Sequence, residues 1–296
     1  MLSEDDLKKY LRAGLIASDA ITYGKNLINE GVALEEVAEE TEAYIIKNGA
    51  KLAFPVNLSI NDEAAHYTPS RNDKRKFNKN DIVKFDLGAH IDGFIADTAV
   101  TIEVGNEMES SLLISSERAL YNVVQRMRPG LRIGEIGKII EETIKSFGFR
   151  PIYNLTGHEL SRNVLHAGLS IPNYDDGSMV EVEIGMAFAI EPFSTDGSGY
   201  VKEGSFGNIL QIIRDPEEFN EIYENYGMLP FSTRWIYRDF SNPENIIDKL
   251  LRSNKVYKFP ILKERRKGKV AQFEHTFVIT KERIYVTTMK IHRNPI

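Results

Sequence analysis

Cysteine is absent from the chain of 296 residues. This absence excludes disulfide bonds, thiolate zinc sites and cysteine nucleophiles, so any metal site must be built from His, Asp and Glu. Such ligands suit divalent ions such as Co, Mn, Fe(II) and Zn. Long apolar runs are absent as well, because no stretch reaches the roughly 18 residues of a membrane span and the acidic N-terminus has no apolar signal core. We therefore expect a cytoplasmic protein that does not enter membranes.

Positively charged residues are also fewer than negatively charged ones. Lys and Arg number 37 against 43 Asp and Glu, which gives a formal net charge of -6. This balance argues against a specific nucleic-acid partner and against general binding to lipid surfaces. Apolar residues make up 42% of the chain, which is typical of a globular protein with a substantial core. We expect a monomer that acts on small or uncharged partners.

Helix signals come in two pairs with the same internal spacing. The first pair is predicted over residues 3–29 and 34–48, and the second over residues 117–128 and 133–147. The second pair follows the first at an offset of 99 residues (31 to 130 and 49 to 148). The matching positions are Gly31, Val32, Leu34, Val37, Ile45 and Gly49 with Gly130, Leu131, Ile133, Ile136, Ile144 and Gly148. A chance match is the alternative, but the spacing favours a duplication, with two related α/β lobes whose helices cover a curved sheet.

The pattern changes to helix signals between residues 208 and 262. Asp215-Pro216 and Asn242-Pro243 each place a proline at the first position of a helix. Strand-like alternation resumes after this block. We therefore predict a domain formed by residues 1–207 and 263–296, interrupted by a helical insertion at residues 208–262.

A hairpin is predicted around Asp92-Gly93, a dipeptide typical of a two-residue turn between alternating strands. This turn pairs Asp86 with Ala99, so that Asp97 lies on the same face as Asp86 and diagonal to it. The two carboxylates would then have Cβ atoms roughly 6–8 Å apart and would repel each other unless a divalent cation lay between them. Two solvated aspartates on an exposed face are the alternative, and spacing alone leaves both open.

Three further acidic or basic side chains occur in apolar or glycine-rich strand contexts. His158 follows Leu-Thr-Gly, Glu191 ends an apolar run and precedes a proline, and Glu274 lies in an alternating strand pattern. Buried glutamates are rare without a partner. Each of the three taken alone also fits a structural role.

Together these residues give the order Asp, Asp, His, Glu, Glu, which resembles the pita-bread metallohydrolases: methionine aminopeptidase, aminopeptidase P, prolidase and creatinase. Finer motifs resemble the type II methionine aminopeptidases, above all the archaeal ones, and the helical insertion between the two glutamates is typical of that type. The motifs cover residues 65–69, 84–93, 191–195, 229–235 and 271–276. The resemblance implies the α/β (α+β) pita-bread fold, a pseudo-twofold curved antiparallel sheet covered by helices.

The resemblance also implies a set of metal ligands around two divalent ions. Asp86 binds one ion, His158 and Glu191 bind the other, and Asp97 and Glu274 bridge them. In such a site a bridging hydroxide attacks the peptide carbonyl, and Glu191 is our candidate for moving a proton to the leaving amine.

A second group of residues matches the substrate site of the family. His66 and His166 are expected on opposite sides of the cleft, one contacting the scissile carbonyl or amide and the other positioning the substrate. Phe54 and Leu165 are candidates for the methionine pocket. The implied activity is removal of the N-terminal methionine from nascent proteins whose second residue is small.

Two rival functions remain. One is a catalytically inactive pita-bread module that only binds a partner, and the other is a peptidase similar to aminopeptidase P or prolidase. His90 and His275 are interpreted as structural or solvent-facing. The basic run at residues 263–269 is interpreted as a solvated turn, with a transient ribosome contact as the alternative.

Overall fold

The duplicated helix pattern is present in the computed structural model, which describes residues 2–106 and 110–290. The first pair of helices comprises α1 (Glu4–Lys25) and α2 (Leu34–Lys47), and the second comprises α3 (Ser111–Arg126) and α4 (Ile133–Ser146). Both α2 and α4 contain 14 residues and begin 99 positions apart, at 34 and 133. The glycines flanking these helices all have positive φ: Gly31, Gly49, Gly130 and Gly148. The predicted spacing of the repeat is therefore confirmed.

The ends of the helices differ from the prediction in two places. Ser3 and Asp6 form a capping box at the start of α1, and α1 ends at Lys25 rather than near residue 29. α3 begins at Ser111, six residues before the predicted start at 117, because its first turns bury serines as well as leucines. Ser116 donates a hydrogen bond to the carbonyl of Pro192 at 2.5 Å. Buried serines with backbone partners weaken the apolar periodicity from which a helix is predicted.

The strands form two ladders, one in each half, and a further four-stranded sheet that includes the short second strand of the first half. The first half contains β1 (Lys51–Ile60), β2 (Glu63–Ala65), β3 (Ile82–Ile91) and β4 (Phe94–Glu103), with the order β1-β3-β4. The second half contains β5 (Arg150–Pro151), β6 (Thr156–Glu159), β7 (Ser170–Pro172), β8 (Ala187–Ile190) and β9 (Phe193–Thr195). The later strands are β10 (Val201–Ile212), β11 (Phe231–Ser232), β12 (Val256–Glu264), β13 (Val270–Gln272), β14 (His275–Ile279) and β15 (Ile284–Val286).

The second ladder mirrors the first but is interrupted. β9 pairs with β13 and β5, while β8 pairs with β14 and β6, and every pairing is antiparallel. The order across the ladder is therefore β5/β6, β8/β9, β13/β14, which matches β1, β3, β4 of the first half.

The two ladders join along a seam between β4 and the β13/β14 strand. The amide of Glu274 donates to the carbonyl of Ala99 at 2.9 Å, and the Thr98 hydroxyl donates to the carbonyl of Glu274 at 2.9 Å. The Thr276 hydroxyl accepts from the Asp97 amide and donates to the Asp97 carbonyl, both at 2.8 Å. At the seam, the hydroxyl groups of Thr98 and Thr276 therefore make hydrogen bonds to the backbone in place of some backbone–backbone hydrogen bonds. The result is one curved antiparallel sheet with pseudo-twofold symmetry, as predicted.

Helices of each half cover the sheet of the same half. Apolar residues of α1 and α2 pack against β1, β3 and β4, with Leu58 and Phe85 fully buried. α3 and α4 pack in the same way on the second ladder, around Phe188 and Phe277. Within residues 2–106 and 110–290, no helix has the length and apolar composition that crossing a membrane requires.

The region between the two halves of the second ladder is built on a pair of long strands. β10 and β12 pair from Val201↔Glu264 to Ile212↔Val256, and helices lie at their far end. These helices are a 3-10 helix (Pro216–Phe219), α5 (Asn220–Tyr226), α6 (Thr233–Asp239) and α7 (Pro243–Arg252). The helices opened by the two prolines are therefore present, but the strands were not predicted. The predicted boundaries at 208 and 262 fall inside β10 and β12, and the domain division stays a prediction.

A buried ion pair joins this insertion to the first half. Arg234 and Glu42 are 3% and 2% exposed, and their Nη2 and Oε1 atoms lie 2.7 Å apart. The indole of Trp235 donates to the other oxygen of Glu42 at 2.9 Å. Because both partners of the pair are buried, loss of either would leave an uncompensated charge. The pair fixes α6 against α2.

Candidate metal centre

The first two carboxylates lie on the hairpin formed by β3 and β4. Asp92 and Gly93 have φ values of 51° and 88°, as a type I′ turn requires. Asp86 pairs with Ala99, and Asp97 pairs with Gly88, so the register predicted from the turn is confirmed. Both carboxylates line one cavity of about 60 Å³.

The two glutamates lie where the second ladder is interrupted. Glu191 follows β8, and Glu274 lies between β13 and β14. The flanking pairs Ile190↔His275 and Phe193↔Gln272 keep one register, so the two glutamates occupy opposed positions. Here the strand turns towards the first half, because the Glu274 amide donates to Ala99 rather than across its own ladder. Both side chains enter the cavity that Asp86 and Asp97 line.

His158 completes the group from β6. Ligand atoms of Asp97, His158 and Glu274 all lie within 4.8 Å of one another, and the three residues are buried. The Nε2 atom of His158 is 3.5 Å from Asp97 Oδ2 and 4.0 Å from Glu191 Oε1. The structure thus brings all five predicted ligands to one cavity, with three of them in the tightest cluster.

Burial dominates the electrostatics of these groups. It raises the pKa of Asp86 to about 7. Burial and neighbouring carboxylates raise the pKa values of Asp97, Glu191 and Glu274 well above their usual range. Burial, together with His166, lowers the pKa of His158 to about 3 and keeps the ring neutral. Four carboxylates therefore face one another, and their charges would repel in a low-dielectric cavity.

Several buried carboxylate oxygens of the cavity have no hydrogen-bond partner and are suited to binding cations. Within the described part of the chain, one buried oxygen each of Asp86, Asp97 and Glu274 has no hydrogen-bond partner. Buried polar atoms in native proteins are normally satisfied, so such a group of acceptors indicates an absent positive partner. Carboxylate and imidazole ligands without thiolate suit divalent ions.

Gln272 is a site residue that the sequence reasoning did not single out. Its Nε2 donates to Glu191 at 3.0 Å and to Glu274 at 3.3 Å. It therefore orients two of the carboxylates at once. Its position two residues before Glu274 on a strand puts both side chains on one face, and this was the signal available in the sequence.

The two predicted histidines line the same cavity. His66 has a φ of 67°, an uncommon value for a residue other than glycine. Its Nδ1 lies 3.2 Å from the carbonyl of Pro260, and burial lowers its pKa to about 4. The ring of His166 lies 4.4 Å from the ring of His158, and although the residue is open to solvent, desolvation by the surrounding protein lowers its pKa.

The predicted pocket residues are both 6% exposed and lie in the cavity wall. Phe54 packs against Gly88, where an added Cβ would lie 2.3 Å from the phenyl ring. Leu165 belongs to the same apolar cluster as Phe54. The insertion contributes further wall residues that were not predicted: Ile209, Pro230 and Phe259.

His90 and His275, which were interpreted as structural or solvent-facing, make contacts of a structural kind. Nδ1 of His90 accepts the Gly93 amide at 3.0 Å and so supports the hairpin turn. Nδ1 of His275 lies 2.9 Å from the hydroxyl of Thr288, in the turn that follows the neighbouring strand β15. These contacts agree with a structural role.

Known proteins resemble this chain over its whole length. A model of metallopeptidase family M24 matches residues 8–281. A methionine aminopeptidase of Methanocaldococcus jannaschii is 45% identical over 289 residues, covering 95% of this chain and 98% of the relative. The structure of a Thermotoga maritima methionine aminopeptidase has a TM-score of 0.73 at 24% identity, covering 97% of this chain and 98% of that one. The structure of a thermophilic Arx1 has a TM-score of 0.82 at 18% identity, covering 97% and 91%.

The fold similarity and the sequence similarity carry different weight. Structural likeness at under 25% identity supports the pita-bread architecture alone. The near-complete match to the family model and the 45% identity go further, since they extend across all five candidate ligands. The chain therefore belongs to metallopeptidase family M24, among the type II methionine aminopeptidases.

Proposed function

We propose that this protein removes the N-terminal methionine from polypeptides by metal-dependent hydrolysis. The observation that carries the proposal is one cavity lined by five potential ligands, two neutral histidines and an apolar wall. The methionine aminopeptidase relative from Methanocaldococcus jannaschii supports the choice of substrate. An inactive binding module is not favoured, because it would have no need of the buried carboxylates.

The ligand assignment extends this proposal to two divalent ions. Asp86, Asp97, His158, Glu191 and Glu274 would hold the ions between them. The separation of 3.5 Å between His158 and Asp97 and the clustering of Glu274 with both support this ligand set. Co, Mn, Fe(II) and Zn all match the ligand set. When bound, such ions lower the pKa of a water molecule and polarise the scissile carbonyl.

Glu191 is the residue that moves the proton. Gln272 donates to its Oε2, so that Oε1 is the oxygen directed towards His158. With Gln272 on Oε2, Oε1 is the oxygen that can accept a proton from the attacking water. It takes a proton from the attacking water and delivers it to the leaving amine.

The hydrogen bond that His66 makes assigns the two histidines to different roles. A carbonyl can only accept, so His66 carries its proton on Nδ1, facing Pro260. Its neutral ring then presents Nε2 as an acceptor for an N–H of the substrate. His166 supplies the donor to the scissile carbonyl and stabilises the charge that develops there.

Substrate selection follows from the shape of the wall. Phe54 and Leu165 form an apolar surface for the methionine side chain, as binding pockets of this class require. The insertion residues Ile209 and Pro230 line the same cavity, and we expect them to favour a small second residue. The substrates are the N-termini of nascent chains. A transient ribosome contact through residues 263–269 stays a prediction.

The test uses protein stripped with chelator and reloaded with Mn or Co. We expect free methionine from Met-Ala-Ser, much less from Met-Phe-Ser, and no product from Ala-Pro-Ala. Absence of methionine release under every metal would contradict the proposal. Cleavage of Ala-Pro-Ala would instead identify an activity of the aminopeptidase P type.

A further inference from the structure

The insertion lies at the position in the second half that corresponds to the tight turn of the first half. In the first half, Asp92 and Gly93 connect the strands that carry Asp86 and Asp97. In the second half, the strands that carry Glu191 and Glu274 end at the pair Thr195↔Val270, and residues 196–269 replace the turn. The backbone link between these strands is therefore long. Their alignment needs another constraint.

Side-chain and backbone contacts close the base of the insertion, which we define as residues 196–199 and 264–269. The amide of Lys269 donates to Asp196 Oδ1 at 2.7 Å. The hydroxyl of Thr195 donates to the carbonyl of Lys269 at 2.8 Å. A Cβ on Gly268 would lie 2.4 Å from the Gly197 backbone, so the two chain segments touch.

Glu264 is the charged group at the centre of this base. It is 0% exposed, although the sequence placed it in a solvated basic turn. One carboxylate oxygen accepts the Ser198 amide at 2.5 Å and also the Ser198 hydroxyl. The other accepts the amides of Arg266 at 2.6 Å and Gly268 at 2.9 Å. Each oxygen therefore joins one of the two segments.

The ionised form of Glu264 matches this arrangement. Burial alone would raise its pKa, but the hydrogen bonds from Ser198, Gly268 and Arg266 outweigh burial and hold the pKa below its usual range. A carboxylate that accepts several N–H groups is stabilised in its charged form. A neutral group of the same shape would have too few acceptors for both segments.

We infer that Glu264 is a positioning residue for the hydrolytic reaction: its carboxylate replaces the missing hairpin turn and keeps Glu191 and Glu274 aligned at the metal centre. This role rests on the proposed function, since it concerns the same five ligands. β9 and β13 share three residue pairs, pairing stops at the two glutamates, and it resumes beyond them at Ile190↔His275. The three-pair side of this gap ends at the base of the insertion, so that base is one of the two constraints on the alignment of the glutamates.

The test compares Glu264→Gln with the unchanged chain. An amide offers one acceptor oxygen, so it can satisfy Ser198 or the amides of Arg266 and Gly268, but not both. We expect the affinity for Mn²⁺, measured by calorimetry on chelator-treated protein, to fall about tenfold, the size found for residues that orient ligands. Hydrogen exchange at the amides of Ser198 or Gly268 should become faster. The turnover number at limiting Mn²⁺ should fall and return at excess metal, with KM unchanged.

Asp239→Asn is the matched control, because Asp239 pairs with Arg238 in the helical part of the insertion, away from its base. We expect this variant to bind Mn²⁺ normally. Ser198→Ala, which removes one of the hydrogen bonds to Glu264 and the hydroxyl contacts with the Tyr200 backbone, is a milder second variant with a smaller loss of affinity. Wild-type Mn²⁺ affinity in both Glu264→Gln and Ser198→Ala would overturn the inference. The titration needs no peptide, so failure to release methionine would leave its result standing.

Discussion

Each half of the sheet presents two carboxylates to the metal centre, but the two halves position them by different means. In the first half, ten consecutive residue pairs run from Ile82↔Glu103 to Ile91↔Phe94, and Asp86 and Asp97 lie inside that unbroken ladder. In the second half, three pairs and four pairs flank a gap, and Glu191 and Glu274 lie in the gap. The first half is therefore a rigid local unit. The second depends on distant contacts, which allows its glutamates to turn across the seam.

The largest expected effect distinguishes the role of Asp86 from that of Glu191, which lies on the corresponding strand of the other half. We expect Glu191→Gln to lower the turnover number by about 10²–10⁴-fold, because it removes the group that transfers the proton. Asp86→Asn should instead require at least about tenfold more metal and recover much of its rate at excess metal. Rates measured across a Mn²⁺ titration distinguish the two. Equal recovery in both variants would contradict the assignment of Glu191.

Removal of metal should loosen the contact between the halves. The ligands come from both ladders, so an ion bound at 100 times its dissociation constant stabilises the native state by about 2.7 kcal/mol. We expect chelation to lower Tm by roughly 5–10 °C. Scanning calorimetry with and without Mn²⁺ measures the shift. An unchanged Tm would show that the four carboxylates do not take up metal.

The seam itself should be sensitive to the Thr276 hydroxyl. Thr276→Val keeps the shape of the side chain but removes both hydrogen bonds to the Asp97 backbone. We expect a loss of about 1–3 kcal/mol in the free energy of unfolding, since the buried Asp97 amide then lacks an acceptor. Urea unfolding measures the loss. Thr280→Val, at a partly exposed turn beyond β14, is the control, and an equal loss there would argue against a special role for the seam.

The smallest expected effect concerns His90, which supports the turn of the first half, and the pH dependence of the stability that it contributes. Burial, and to a lesser degree Lys51, lowers the pKa of His90 to about 4. A histidine with a folded pKa below the unfolded value of about 6.5 stabilises the fold fully above that value and loses this contribution as pH falls towards 4. His90→Gln should flatten the stability curve between those limits. We would measure the urea midpoints of the His90→Gln variant at pH 7.5 and pH 5. A fall in midpoint as large as that of the wild-type chain would contradict this prediction.

The same contrast explains what could be predicted from the sequence. The Asp92-Gly93 turn is local, so it set the register of Asp86 and Asp97 without further knowledge. Glu191 and Glu274 lie 83 positions apart (191 to 274) in interrupted strands, and only the resemblance to a family identified them. No turn or periodicity connects residues across such a distance.

The strands of the insertion were missed for a physical reason. The pairing of β10 with β12 shifts register twice, near Gly204 and Gly207. Bulges and glycines of this kind disrupt the two-residue alternation from which strands are predicted. Glu264 was misread for a related reason, since the basic residues around it suggested solvent. Its burial depends on Ser198, which is 66 positions away.

The buried contact between Trp235 and Glu42 has an optical consequence. The chain contains one tryptophan, and that residue lies in the insertion with its indole nitrogen bonded to a helix of the first half. Intrinsic fluorescence excited at the indole therefore reports on a single interface. A red shift in emission would mark separation of the insertion from α2. Followed in stopped flow, the signal would show whether this separation precedes or follows loss of the rest of the fold.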